Sequence, residues 1–265
     1  MMSNFIHLQT KSHYSISCGL PKTNEIVDKA VESGMPAVTL ADKNTFFGLV
    51  KFYNYALIKG IKPICGVDFD IKVNNGYSNL ILLAKNKKGL EKLFKLSTES
   101  FVKSGSEKRS IPEQDILNNS DDIVCIIPSS SPNLRNLALK KEDLLIDQHY
   151  KKYLEAFAEN LFVGVSNFSK DGYDSASALA CNIAKKNNIK AVAINDVLFL
   201  EKEDHLAHQA KVAINNATLL KDEIDNPNIS SDQYFKTEDD LAKCQELEPL
   251  KNTFDVAKLC NVFLE

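Results

Sequence analysis

The chain has 265 residues, 44% of them hydrophobic and 25% charged, which suits one large α/β domain or two small ones with a real core. No run of eighteen apolar residues excludes a membrane-spanning helix, and the opening MMSNFIHLQTKSH, with no basic flank before an apolar run, is not a secretory signal. The net charge of −3 lacks the basic excess of a domain that grips duplex DNA unaided.

In chain order, Phe5 to Leu8 reads as a short strand, and Thr23 caps a helix with Ile26, Val27, Ala30 and Val31 on one face. Gly34 and Pro36 end it, and Ala37 to Leu40 is a second strand. A second helix carries Leu49, Val50, Tyr53, Ala56 and Leu57, stops at Gly60, and leads through Lys62 to Val67 into a third strand. This alternation predicts βαβ units and a parallel sheet.

Further strands are expected at Leu80 to Ala84, Asp122 to Ile127, Leu161 to Val165 and Ile189 to Ile194. Helices are expected around Leu90 to Leu96, over 135–159 and over Ser175 to Lys186. The stretch 103–120, broken by Gly105 and Pro112, reads as a loop, and from 203 onward the segments are helical or irregular. About seven strands, most followed by a helix, predict a distorted seven-stranded (β/α) barrel with functional residues at the C-terminal strand ends. A doubly wound open sheet is the alternative.

Six cysteines, at positions 18, 65, 125, 181, 244 and 260, form no C-x-x-C pair. They read as reduced, mostly buried thiols, which places the chain in the cytoplasm. The basic runs at 85–88 and 103–109 read as solvated loops or helix ends.

The segment FIHLQTKSHYSISCGLPK resembles the opening of the PHP (polymerase and histidinol phosphatase) domain of bacterial replicative polymerases. The resemblance continues through GMPAVTLADKNTFFGLVKFYNYALIKGIKPICGVDF, NLILLAKNKKGLEKL, AINDVLFLEKEDHLAH, SSDQYFKTEDDL and NTFDVAKLCNVFL, and it is weak only over 100–160. It implies one PHP domain over 1–265, with 203–265 a helical extension leading toward a polymerase palm, and so an excised domain.

Active family members hold metal ions with His, Asp and Glu at strand ends. Carried over residue by residue, that ligand set mostly fails. The His-x-His pair corresponds to Gln9 and Lys11, the next Asp to Cys18, and the His after Asp42 to Lys43. The acidic ligand is Asp68, the next His position is Asn79, and a further ligand falls near Ser129. Asp196 remains, but the His two residues later is Leu198.

A metal-assisted phosphoesterase needs lone pairs converging on a dication at about 2.0–2.2 Å and a bound water made acidic by it. Leu198 has no donor, and Lys11 and Lys43 each bring an ammonium. With the dications gone, Asp42, Asp68 and Asp196 repel one another, so these lysines are expected to neutralise them in a buried or half-buried cluster. The other reading turns the lysines to solvent and leaves the aspartates capping loops.

Asp68-Phe69-Asp70 has the carboxylate spacing of two-metal nucleotidyl transferases, but the resemblance puts it at the metal-ligand position of this domain. His205 and His208, spaced i,i+3, read as a packed or surface helix, with a metal site beside Glu203 or Asp204 as the other reading. The implied function is a non-catalytic scaffold in DNA replication without a cofactor. Its partners are the polymerase core of the same chain and the proofreading 3′–5′ exonuclease subunit, with DNA held by the parent polymerase. The alternatives are a residual phosphoesterase or proofreading nuclease using Asp42, Asp68 and Asp196 with Zn, Mn or Mg at low occupancy, and a stand-alone phosphatase.

Overall fold

Apolar spacing builds the first two helices, α1 (Thr23–Glu32) and α2 (Leu49–Ile58), of a computed structural model that describes residues 3, 5–16, 18–73, 76–103, 108–140, 143–166, 173–225, 229–242 and 246–264. α2 buries Leu49, Phe52, Tyr53 and Ala56, an i, i+3, i+4, i+7 stripe. Val50 and Leu57 flank that stripe and are exposed, as is Val31 on α1, which corrects their expected burial. Thr23 is the first helical residue rather than the cap. The helix start is fixed instead by Glu25, whose carboxylate accepts the Lys22 N–H at 2.7 Å. Gly60, at φ +75°, closes α2 in a conformation that costs other residues.

The strands are β1 (Ala37–Lys43), β2 (Lys62–Val73), β3 (Gly76–Ala84), β4 (Ile111–Pro112), β5 (Ile123–Pro128), β6 (Leu161–Val165) and β7 (Lys190–Ala193). They form one curled sheet in the order β1-β2-β3-β5-β6-β7, with β4 beside β2. β1–β2, β5–β6 and β6–β7 are parallel, whereas β3 is antiparallel to β2 and β5. The all-parallel expectation is therefore corrected to a mixed sheet. Two residues separate Val73 from Gly76, and so short a connection joins only antiparallel strands.

Residues 5–11 close the curl between β1 and the segment after β7. The N–H groups of Thr39 and Ala41 donate to the carbonyls of His7 (3.2 Å) and Thr10 (2.9 Å). On the other side the Val197 N–H donates to the Gln9 carbonyl (3.1 Å), and the Lys11 N–H to the Val197 carbonyl (3.0 Å). The expected strand at Phe5 to Leu8 is thus irregular backbone, and the one bridge of this segment, Thr10 to Val197, lies beyond it.

The remaining helices are α3 (Lys87–Lys103), α4 (Glu113–Leu117), α5 (Pro132–Lys140), α6 (Asp143–Phe157), α7 (Tyr173–Lys186), α8 (His205–Asn216), α9 (Leu220–Asp225), α10 (Glu238–Ala242) and α11 (Leu247–Leu259). The expected loop at 103–120 carries β4 and α4, while its Gly105 lies outside the described residues. The single helix expected over 135–159 is α5 and α6. Cys244 also lies outside the described residues; Cys65, Cys125 and Cys260 are buried thiols. Among the described residues no helix is long and apolar enough to cross a membrane.

The outward face of the sheet, including Val38, Leu40, Val67, Phe69, Leu80 and Leu82, packs with Ile26, Val27, Phe52, Leu90 and Leu93. The inward face is apolar at one end, where Ala37, Ala41, Ile64, Ile81, Leu83 and Ile194 meet Val256 and Ala257 of α11. Strand alternation carries the same face on to Lys43, Asp68, Asp70 and Asn79 at the other end. The apolar plug thereby becomes a charged floor.

Candidate functional site

That floor lies under an open cleft of about 710 Å³, lined by Lys11, Cys18, Lys43, Asp68, Asp70, Asn79, Asp196 and Leu198 among others. Register explains who meets whom. Lys43 of β1 sits opposite Asp68 of β2, and Asp70 sits opposite Asn79 of β3. Asn44 follows Lys43 at φ +57°, a region Asn tolerates better than most residues. It also braces β2: its Oδ1 accepts the Asp70 N–H at 2.8 Å, and its Nδ2 donates to the Asp70 carboxylate at 3.3 Å.

Asp68 is the hub. A carboxylate offers about four acceptor positions, and four donors fill them. Lys11 Nζ (2.9 Å) and Gln9 Nε2 (3.0 Å) reach Oδ2, while Lys43 Nζ (3.1 Å) and Asn79 Nδ2 (3.0 Å) reach Oδ1. Lys11 also pairs with Asp196, and Lys43 with Asp70 at 3.0 Å. Lys108 approaches Asp70 at 3.5 Å. Three cations thus face three carboxylates. The Lys11 and Asp68 side chains are only 3% and 2% exposed, whereas Lys43 is 23% exposed.

Burial by itself lowers the pKa of an ammonium. Asp196 and Asp68 outweigh it at Lys11, and Asp68 and Asp70 outweigh it at Lys43, so both pKa values are raised. Burial pushes the Asp68 carboxyl up, but Lys11 and Lys43 reverse that and hold it well below the usual carboxylate range. Lys11, Lys43 and Asp68 thus hold one another in their charged forms.

Asp42 does not join it, which corrects the expected role of the lysines there. Its Oδ1 accepts the Ser12 N–H at 2.7 Å and the Ser15 hydroxyl at 2.6 Å, and its Oδ2 accepts the Ser12 hydroxyl at 2.8 Å. Burial raises the Asp42 pKa, and the Ser15 and Ser12 hydrogen bonds offset this only in part. The backbone around Ser12, Ser15 and Gly19, which supplies these serines, is tight. A Cβ on Gly19 would lie 2.0 Å from the Ser12 carbonyl oxygen. From α8, His208 and Lys211 donate to the carbonyls of Cys18 and Gly19, so His208 packs as a helix residue. His205 bonds the Ile229 carbonyl at 3.1 Å.

Of the ten positions singled out from the sequence, Lys11, Cys18, Lys43, Asp68, Asn79, Asp196 and Leu198 line the cleft, and Gln9 reaches it through Asp68. Asp42 is buried in its serine nest. Ser129, at the end of β5, accepts the Ser166 N–H at 3.1 Å and bonds Ser177 at 3.0 Å, while its neighbour Ser130 lines the cleft. Ser12, Ser15, Asn44 and Lys108 escaped the sequence reading. The Asp68-Phe69-Asp70 spacing was the signal that Asp70 shares the floor with Asp68.

As arranged, this floor does not fit a dication. The acceptor positions of Asp68 are filled, Leu198 brings no donor, and Lys11 and Lys43 place ammonium groups within 3.1 Å of its oxygens. Any metal bound here has to displace both lysines and meet their repulsion.

The sequence compares well with known proteins. The DNA polymerase III subunit alpha of Escherichia coli (strain K12) is 30% identical over 264 residues, which cover 97% of this chain and 23% of that protein. The same subunit of Buchnera aphidicola subsp. Schizaphis graminum is 31% identical over 279 residues, 100% of this chain and 23% of that protein. The chain therefore spans about a quarter of the length of these relatives. An amidohydrolase structure from Chromobacterium violaceum superposes with a TM-score of 0.49 at 13% identity, covering 73% of this chain and 87% of that one. The PHP domain family matches residues 7–167, and the chain belongs to that family.

Proposed function

We propose that this chain is the PHP domain of a replicative DNA polymerase, a DNA polymerase III α subunit, and that its former metal cleft has become a non-catalytic scaffold. In this reading it needs no cofactor and works in the cytoplasm. It packs against the polymerase core of the same chain and docks the proofreading 3′–5′ exonuclease subunit. DNA is bound and extended by the parent polymerase. The observation that carries the reading is the saturation of Asp68 by Lys11, Lys43, Gln9 and Asn79. Those contacts put fixed protein cations where a phosphoesterase needs a dication and its activated water. The kinship with polymerase α subunits over nearly the whole chain supplies the setting.

A chromogenic phosphodiester incubated with the chain and Mn²⁺ or Zn²⁺ tests the loss of chemistry. The expected result is no turnover above metal alone. Turnover that disappears in Asp68→Asn would establish the rival phosphoesterase built on Asp42, Asp68 and Asp196.

A further inference from the structure

Lys62 is placed unlike the lysines of the cleft floor. It opens β2 and lines a separate groove of about 450 Å³, whose walls include Leu57, Ile61, Pro63, Val262 and Phe263. Phe263 is 77% exposed there. Both acceptors of the Lys62 ammonium are neutral: the Ala257 carbonyl in the last turn of α11, at 2.7 Å, and Asn261 Oδ1, at 2.8 Å. Among the described residues no carboxylate pairs with it. Burial draws its pKa below the usual lysine range. Lys59, three residues earlier, is the contrast. Its ammonium meets the Asp28 carboxylate at 2.7 Å, and its pKa is raised, chiefly by that hydrogen bond. The Lys62 contacts belong to a strap over the segment that follows α11. The Asn261 N–H donates to the Lys85 carbonyl at 2.7 Å. The Tyr53 hydroxyl donates to the Val262 carbonyl at 3.1 Å and accepts the Leu264 N–H at 3.3 Å. Lys62 completes the strap by satisfying a carbonyl that the helix end leaves open and by placing a cation at the negative end of α11.

We propose that Lys62 is a site of covalent acylation by small activated acyl groups, and that acylation loosens the strap over residues 260–264. The chemistry needs an amine that gives up its proton to solvent, beside a surface that accepts an acyl chain. No carboxylate holds the proton on Lys62, and the apolar walls of the groove receive the chain. The free amine attacks the acyl carbon of an acyl phosphate or an acyl thioester. A C–N bond forms, the C–O or C–S bond breaks, and phosphate or thiol leaves with the proton that the amine gives up. An ammonium has three donors, whereas an acyl-lysine carries no charge and a single N–H. It has no separate N–H for each of the Ala257 carbonyl and Asn261 Oδ1, and it no longer complements the end of α11.

The test treats the folded chain near neutral pH with limiting acetyl phosphate in one arm and acetyl-coenzyme A in the other, and maps acetyl-lysines by mass spectrometry. We expect Lys62 to react at least about threefold faster than Lys59, and the arm that reacts faster names the acyl source. Amide hydrogen exchange then reads the strap. The Asn261 and Leu264 amides should exchange at least about tenfold faster in the acetylated chain and in Lys62→Gln. Lys62→Arg, which cannot be acetylated, should keep its exchange rates through the same treatment. Thermal unfolding checks that the variants are folded, and if Lys62→Gln is not, the acetylated wild type carries the same reading. Reaction at Lys62 no faster than at Lys59 in both arms overturns the proposal. So does unchanged exchange at the two amides once Lys62 is acetylated, or quickened exchange in treated Lys62→Arg, which would assign the effect to other lysines.

Discussion

Two strand aspartates, Asp68 and Asp42, are both 1% exposed and yet have pKa values shifted in opposite directions. Asp68 is wrapped by ammonium and amide groups and is held ionised. Asp42 is wrapped by a backbone N–H and two hydroxyls and has a raised pKa. Hydroxyl dipoles satisfy the acceptor positions of a carboxylate but do not offset the full cost of burying its charge, whereas a neighbouring cation does. The floor on the Asp68 side therefore depends on Lys11 and Lys43 in a way that the Asp42 nest does not.

The largest effect that breaks this contrast is expected from Lys11→Met. It strips the most buried cation from Asp68 and Asp196 and should cost about 3–5 kcal/mol, the usual penalty for leaving one member of a buried ion pair. The double variant Lys11→Met with Asp68→Asn should recover much of that loss, because no buried charge is left at the hub. Urea unfolding of the two variants measures both numbers. Equal destabilisation by single and double variants would mean that Lys11 acts through packing alone.

A smaller effect is expected from Ser15→Ala, about 1–2 kcal/mol, for the loss of a buried hydrogen bond to a carboxylate. It should also push the Asp42 carboxyl further up. The carbon-13 carboxyl shift of Asp42, followed through a pH titration of both proteins, reads this directly.

The subtlest distinction is the sign of the pH dependence. The folded pKa of Asp68 lies below its unfolded value of about 3.9. Its stabilising contribution is complete above that value and is lost as pH falls through the depressed folded pKa. The folded pKa of Asp42 lies above its unfolded value, so the folded state binds the proton more tightly, and its contribution improves as pH falls between the raised and unfolded values. Relative to Asp42→Asn, the wild type should gain stability as the pH falls through the raised folded pKa toward the unfolded value of about 3.9. Relative to Asp68→Asn, it should hold constant over that range and lose stability only in stronger acid. Urea midpoints across pH decide this, and parallel curves for the two variants would contradict the assignment.

Much of the floor was legible in the sequence, because the family resemblance set Lys11, Lys43, Asp68 and Asp196 at the metal-ligand positions. What escaped was set by pairing geometry. The antiparallel β2–β3 pairing that sets Asn79, itself named from the sequence, opposite Asp70 shows there only as Asn-Asn-Gly before a strand. The serine nest of Asp42 depends on a loop folded back on itself around Gly19, and no periodicity encodes that. On the helices, Val50 and Leu57 fit an apolar count but fall one step around the axis from the true stripe.

The most direct test of the ion-paired floor is elemental analysis after the chain has been equilibrated with excess Zn²⁺ or Mn²⁺ and freed of unbound metal. If Lys11 and Lys43 hold the place of the dications, the purified protein retains well under one equivalent, and Asp68→Asn retains no less than the wild type. One or more equivalents that vanish in Asp68→Asn would mean that the carboxylates prefer metal to their lysines, and the account would be wrong at its centre.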